Sequence, residues 1–260
     1  MALDVALVTG ASSGIGASLA RRIAREGRNL VLVARRTDRL EALARELEHA
    51  HKIRAHVIAR DLVQAGAARD LVREVEGRGL AVDWLVNNAG FGTVGRFAGL
   101  PVDREMDEIR LNVEVLVELT GRCLPAMVAR RRGAVMNIAS LGAFGPGPYM
   151  ATYVATKAFV LSFSESIAVE LKGTGVDVLC VCPGFTRTEF QDKAEVDVSP
   201  VPAMAWMSAD DVADQAVQAV GRRTVLVNGA INSATATMTR FLPRGMVARM
   251  VAGMLKPKEA

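Results

Sequence analysis

The chain has 260 residues, enough for one or two domains at about 150 residues each, and 50% of them are hydrophobic against 23% charged. Those proportions match globular averages and exclude disorder, a collagen-like repeat or a coiled coil as the main state. Three cysteines exclude a disulfide framework, and 32 basic against 28 acidic residues leave a net charge of +4, dispersed in short arginine runs without the aromatic-interleaved stripe that binds nucleic acid.

Asp4 interrupts the first apolar run, and no stretch approaches the ~18 uninterrupted apolar residues of a spanning helix. A cytoplasmic protein is therefore expected, and the mean hydropathy of +0.22 is expected to come from buried strands and helix faces. Short Val/Ile/Leu-rich runs at 4–9, 29–34, 54–59, 82–86, 134–139, 176–181 and 224–227 read as strands. Helix-patterned segments at 14–26, 37–50, 64–76, 102–130, 149–171 and 208–220 separate them, with Pro125 expected to bend or end the fourth. Strands that are apolar on both faces and alternate with helices predict an α/β fold: one doubly wound, parallel, seven-stranded Rossmann-like sheet with helices on both faces. No linker or repeat divides the chain, so residues 1–260 read as one domain.

In chain order, the first motif is Thr9-Gly10-Ala11-Ser12-Ser13-Gly14-Ile15-Gly16, between the first strand and the first helix. Glycines there let backbone N–H groups and the positive end of a helix approach a pyrophosphate. Its spacing, G-x-x-x-G-x-G, is a variant of the usual dinucleotide fingerprint. The second strand ends on Arg35-Arg36, where an NAD site would carry an acid for the ribose hydroxyl, so the pair predicts a 2′-phosphate and NADP (NADPH) as cofactor. Asp61-Leu62 and Asn87-Asn88-Ala89-Gly90 follow the third and fourth strands, at the carboxyl ends where open sheets bind ligands. Ser140 follows the fifth strand, and Tyr153 and Lys157 lie one helical turn apart, on one face. An ammonium beside a phenol is expected to lower the phenol's pKa toward a working proton donor or acceptor, while Ser140 meets a substrate oxygen.

Thr9 to Gly16, Asn87 to Gly90, Asn112, Ser140, Tyr153 with Lys157, and Pro183-Gly184 together resemble the short-chain dehydrogenase/reductase family, in its order and approximate spacing, from about Ala2 to Val227. Within the family the resemblance is to the broad group that includes 3-oxoacyl and hydroxysteroid reductases. It implies that Ser140, Tyr153 and Lys157 form the catalytic triad and that Asn112 is a fourth member, holding a water in a proton relay toward Lys157. It implies further that Asp61 and Leu62 contact adenine and that Asn88, Ala89 and Gly90 line the adenosine ribose and phosphate path. Pro183, Gly184, Thr186 and Thr188 would approach the carboxamide and pyrophosphate, and Lys157 with Tyr153 the nicotinamide ribose. Paired helices of two or four copies are also implied, through 102–130 and 149–171.

Residues 184–207, the longest aperiodic stretch, are a candidate substrate lid. Phe91, Leu141, Phe144, Pro146, Pro148, Tyr149, Phe185, Met204, Trp206 and Met207 predict an apolar entrance for a hydrophobic carbonyl compound or alcohol. Residues 228–260 form an extension in which Met246, Val247, Met250, Val251, Met254 and Leu255 recur at helical spacing among Arg244, Arg249, Lys256 and Lys258. Packing on its own core or a second subunit is the first reading of this amphipathic helix, and peripheral membrane contact the second. The histidines at 49, 51 and 56 lack the ligand set of a metal site, and none is expected. The function expected is NADPH-dependent reduction of a hydrophobic ketone or aldehyde; the rival is an NADPH-binding sensor or scaffold without turnover.

Overall fold

The computed structural model describes residues 3–190 and 203–254. Its strands are β1 (Leu3–Thr9), β2 (Asn29–Ala34), β3 (Ala55–Ala59), β4 (Leu80–Asn87), β5 (Gly133–Ile138), β6 (Val176–Cys182), β7 (Thr186–Arg187), β8 (Met207–Ser208) and β9 (Val225–Val227). Seven of them form a parallel sheet in the order β3-β2-β1-β4-β5-β6-β9, and β7 pairs with β8 apart from it. The helices are α1 (Gly14–Arg25), α2 (Thr37–His51), α3 (Ala67–Gly77), α4 (Val102–Ile109), α5 (Val115–Ala129), α6 (Ala151–Glu170), α7 (Ala209–Ala219), α8 (Ala230–Phe241) and α9 (Arg244–Met254).

Alternation along the strands explains why they are apolar throughout. Ala6 and Val8 of β1 join Leu30 and Leu32 of β2 in the cluster under α1, α2 and α7. Val5, Leu7, Val31 and Val33 point the other way, into the cluster under α3, α5 and α6. Each face of the sheet is thus covered, and the order reverses between β1 and β4, the place where such sheets bind ligands.

The segment expected as one helix over 102–130 is interrupted. Residues Arg110–Glu114 form a π-helical turn between α4 and α5, whereas α5 passes through Pro125 without ending there. Such one-turn bulges swing a side chain into a site at modest cost, and here Asn112 lies inside the turn, buried. The sixth helix starts at Ala151 rather than 149, because Tyr149 takes a left-handed conformation at φ 68°. Residues 191–202 of the lid predicted over 184–207, and the basic and apolar residues from Leu255 onward, lie outside the described residues. The two ends of the lid segment meet where Thr186 pairs with Met207. Among the described residues no helix is long and apolar enough to cross a membrane.

Candidate active site

The turn from β1 into α1 is shaped by glycines with no room for a side chain. Gly10 and Gly14 have positive φ, and a Cβ on Gly16 would lie 2.4 Å from the Gly10 carbonyl oxygen and from Asn88 Nδ2. Thr9 ties this turn to the end of β4: its hydroxyl accepts the N–H groups of Asn88 and Ala89 at 3.0 Å and donates to the Val86 carbonyl at 3.2 Å. Asn88 returns its amide to the carbonyls of Thr9 and Gly10, at 2.9 and 3.3 Å. Ser13 occupies the N-cap of α1 without its side chain capping the helix. Its hydroxyl instead accepts from Arg36 at 2.8 Å, and Arg36 also reaches the Ser12 hydroxyl at 3.1 Å. First-turn N–H groups without a capping side chain, on a glycine turn carrying a guanidinium, are a donor set that fits a dinucleotide phosphate.

Arg36 is the member of the predicted arginine pair that the structure turns toward the glycine turn; Arg35 is exposed. Glu189, which sequence spacing did not single out, receives Arg36 at 2.9 Å and also pairs with Arg39. Thr188 stands over Gly14, where a Cβ would be 3.0 Å from its methyl, so the segment after β6 returns to the glycine turn. Gly184 packs on Asn232 of α8, and Thr186 donates its hydroxyl to the Gly184 carbonyl at 3.1 Å. Asp61 accepts the Val63 N–H at 3.2 Å and Leu62 is buried, so both also shape the turn after β3.

At the carboxyl end of β5 the second group assembles. The Ser140 hydroxyl lies beside the Tyr153 phenol and accepts the Gly142 N–H at 3.1 Å. Lys157 is buried, with its ammonium 5.7 Å from the centre of the Tyr153 ring, and donates to the Ile138 carbonyl at 2.8 Å. Asn112 donates its amide to the Phe91 carbonyl at 2.9 Å and the Thr156 hydroxyl at 3.1 Å, and accepts the Phe91 N–H at 3.2 Å. It therefore brackets the loop after β4 to α6.

One expectation is reversed. The Tyr153 phenol is pushed up to about 12, not down, because lost solvation outweighs the opposing influence of the Ser140 hydroxyl. Burial also lowers the Lys157 ammonium to about 8, against the opposing influence of Cys180, Glu108 and Cys182. A phenol in this state keeps its proton at neutral pH and can donate it.

Three further groups escaped the sequence reading. Phe190 lies 5.3 Å from the Tyr153 ring and Gly92 leaves room against both. A buried polar chain runs beneath the site, from Asn87 to Thr120 and Asn137 and on to Ser164. Glu105 and Glu108 are buried on α4. None has a local spacing signal; each is defined by what other elements bring against it. The apolar entrance is partly as expected: Phe185 packs on Trp206 at 5.5 Å, while Phe91 lies under Arg104 and Phe144 under Arg240. Val247 of α9 is buried, and a Cβ on Gly145 would lie 2.9 Å from it, so the C-terminal extension packs on the segment following Ser140. Ile231, Met238, Phe241, Met246 and Met250 of the same extension are exposed.

A glycine turn at the switch point of a parallel sheet, together with a Ser-Tyr-Lys group whose lysine is buried, defines a dinucleotide-dependent oxidoreductase class of site. The profile of the short chain dehydrogenase family matches residues 4–199. The chain belongs to that family, an oxidoreductase family that uses nicotinamide cofactors. It is 37% identical over 189 residues to an uncharacterized oxidoreductase of Myxococcus xanthus, covering 73% of this chain and 74% of the relative. Among solved structures it is similar to a short-chain dehydrogenase from Sphingobium yanoikuyae in complex with NADPH, with 34% identity, TM-score 0.79, and 93% and 97% of the two chains covered. It is also similar to a 7beta-hydroxysteroid dehydrogenase structure, with 25% identity, TM-score 0.87, and 97% and 100% covered.

Proposed function

We propose that the protein reduces a hydrophobic ketone or aldehyde to an alcohol with NADPH, reversibly. The observation that carries this reading is Tyr153 beside Ser140, with the buried Lys157 one helical turn away and its ammonium 5.7 Å from the centre of the phenol ring. Bound NADPH supplies the hydride. Gly10, Ser12, Ser13, Gly14, Ile15 and Gly16 would hold its pyrophosphate, Arg36 with Arg35 its 2′-phosphate, and Lys157 the hydroxyls of its nicotinamide ribose. Asp61, Leu62, Asn88, Ala89, Gly90, Pro183, Gly184, Thr186 and Thr188 frame the remainder.

Ser140 orients the carbonyl oxygen, and Tyr153 protonates it as negative charge develops there. Loss of that proton would leave a buried phenolate, which the ammonium of Lys157 stabilises by charge. Phe190, Phe185 and Trp206 exclude water and favour an apolar substrate, consistent with the apolar cluster of Met150 and Val154 against Tyr153. The similarity to an NADPH complex and to a hydroxysteroid dehydrogenase supports the same reading. Exposed Val102, Met106 and Ile109 on α4, with Phe159 and Val169 on α6, fit pairing of two copies through these helices. Buried free cysteines at 123, 180 and 182 fit a reducing cytoplasm.

The test is oxidation of NADPH, against NADH, with a panel of apolar ketones, aldehydes, 3-oxoacyl thioesters and steroids. Turnover is expected with NADPH and is expected to fall by on the order of 10²–10⁴ in Tyr153→Phe with cofactor affinity retained. Tight NADPH binding with no turnover of any panel member would favour the sensor or scaffold reading instead.

A further inference from the structure

The reaction described above makes no use of two acids that the fold buries beside it. Glu105 and Glu108 lie three residues apart on α4, a spacing that puts them on neighbouring positions of one face, and are 4% and 0% exposed. One oxygen of each is engaged. Glu108 Oε2 accepts both the N–H and the hydroxyl of Thr93 at 2.9 Å, and Glu105 Oε2 accepts the hydroxyl of Thr152. The other oxygen of each, Oε1, is buried with no hydrogen-bond partner among the described residues. Two buried anions, each with an orphan acceptor, are an unfavourable arrangement. A proton held on Glu108 removes half of that buried charge.

The two partners show what the acids hold. Thr93 follows Gly92, whose backbone packs on the Tyr153 ring, and Thr152 immediately precedes Tyr153. The acids therefore grip both sides of the reacting phenol, from a helix that contributes nothing to the catalytic group itself. The charged groups facing Glu108 are Glu105 on its own helix and Lys157 on α6, with the Tyr153 phenol beside them; the loop after β4 presents only Thr93. Asp107 is bonded to Arg110, and Arg104 is stacked on Phe91.

We propose that Glu108 holds a proton beside Glu105 and that the two acids form a positioning device that clamps Thr93 and Thr152 around Tyr153, with Glu108 setting how strongly Lys157 keeps its proton. The catalytic consequence rests on the reductase reading; the proton on Glu108 does not. Burial and the neighbouring Glu105 push the Glu108 carboxyl up to about 7, while Thr93 and Lys157 oppose the shift. Below that pH Glu108 holds its proton; above it, the added negative charge supports the Lys157 ammonium.

The experiment follows the infrared carbonyl band of a protonated carboxyl in the full-length wild type, Glu105→Gln and Glu108→Gln as pH rises from about 5 to 9, with thermal unfolding as the control for folding. The wild type is expected to show one such group titrating near neutrality, with the midpoint in Glu105→Gln lowered by roughly one pH unit and the band lost in Glu108→Gln. No protonated carboxyl in the wild type overturns the proton on Glu108, and an unmoved midpoint in Glu105→Gln overturns its support by Glu105. In the kinetic arm, Glu108→Gln keeps the acceptor for Thr93 but loses the charge, so the alkaline limb of kcat/KM moves down by roughly one pH unit with KM for NADPH unchanged. Glu108→Ala also loses the acceptor and is expected to lower kcat further, an effect that Gln rescues. Superimposable pH profiles of wild type and Glu108→Gln overturn the link to Lys157. Failure to find any turned-over substrate counts against the reductase reading alone, because the infrared arm needs no substrate.

Discussion

The two halves of the cleft are built from different materials. The half around β1 and β2 binds with backbone: glycines that admit no Cβ, a threonine and an asparagine spent on main-chain groups, and one arginine over two serines. The half around β5, α4 and α6 works with side chains, the half-buried Tyr153 and the buried Lys157, Asn112, Glu105 and Glu108, whose chemistry is set by lost solvation and by one another. The first half should therefore respond to changes of shape and be nearly indifferent to pH. The second should respond to changes of charge and follow pH closely.

The strongest break of that contrast is Gly16→Ala. A Cβ 2.4 Å from a carbonyl oxygen can be relieved only by moving the turn. A loss of about 3 kcal/mol, or on the order of a hundredfold in NADPH affinity by calorimetry, is expected at every pH tested. Arg36→Ala comes next, removing charge-assisted hydrogen bonds that each contribute about 1.5–3 kcal/mol. KM for NADPH should rise roughly tenfold to a hundredfold while KM for NADH stays nearly constant; an equal rise for both cofactors would remove Arg36 from the 2′-phosphate.

A smaller effect tests the other half through stability. The folded Glu108 carboxyl titrates near 7 and the unfolded one near 4.5, so the folded state binds the proton more tightly between those values. Its stabilising influence is full at low pH and is lost as pH rises through about 7. Glu108→Gln should accordingly flatten the dependence of Tm on pH between 5 and 8 and raise Tm relative to wild type at pH 8. A Tm advantage for the variant that is largest at pH 5 would reverse the sign. Smallest of all is Val247→Ala, which thins the contact of α9 with Gly145 by two methyl groups. A loss of about 1–2 kcal/mol, or a few degrees in Tm, is expected, with NADPH affinity unchanged. Unchanged liposome co-sedimentation after removal of the extension would leave packing as the role of its apolar face.

The same contrast decides what could be read from the sequence. The glycine turn, Arg36, Asn88 and the Tyr153–Lys157 spacing are local patterns, and the structure brings them together at the switch point. The parallel seven-stranded sheet and its covering by helices on both faces followed from apolar runs alternating with helices; the strand order came only with the structure. The direction of the Tyr153 shift was missed because charge proximity is visible as a spacing, whereas burial depends on Phe190 and the loop after β4 closing over the ring. Glu105 and Glu108 read as ordinary surface acids of a helix until α6 and the Thr93 loop cover them. The π turn was hidden for a different reason: Glu105, Glu108, Asn112, Leu116, Leu119 and Cys123 recur at the spacing of one unbroken helix.

That hidden turn makes the long segment behave as a geared shaft rather than a rod. Each residue advances a helix by about 100°, so the extra residue taken up in Arg110–Glu114 lets α5 aim its apolar row at the sheet while α4 is rotated to aim two acids at Tyr153. Deleting one residue within the turn would be a rotation more than a shortening. It would leave the composition of both helices intact while swinging Glu105 and Glu108 about a quarter of a revolution away from Thr93 and Thr152.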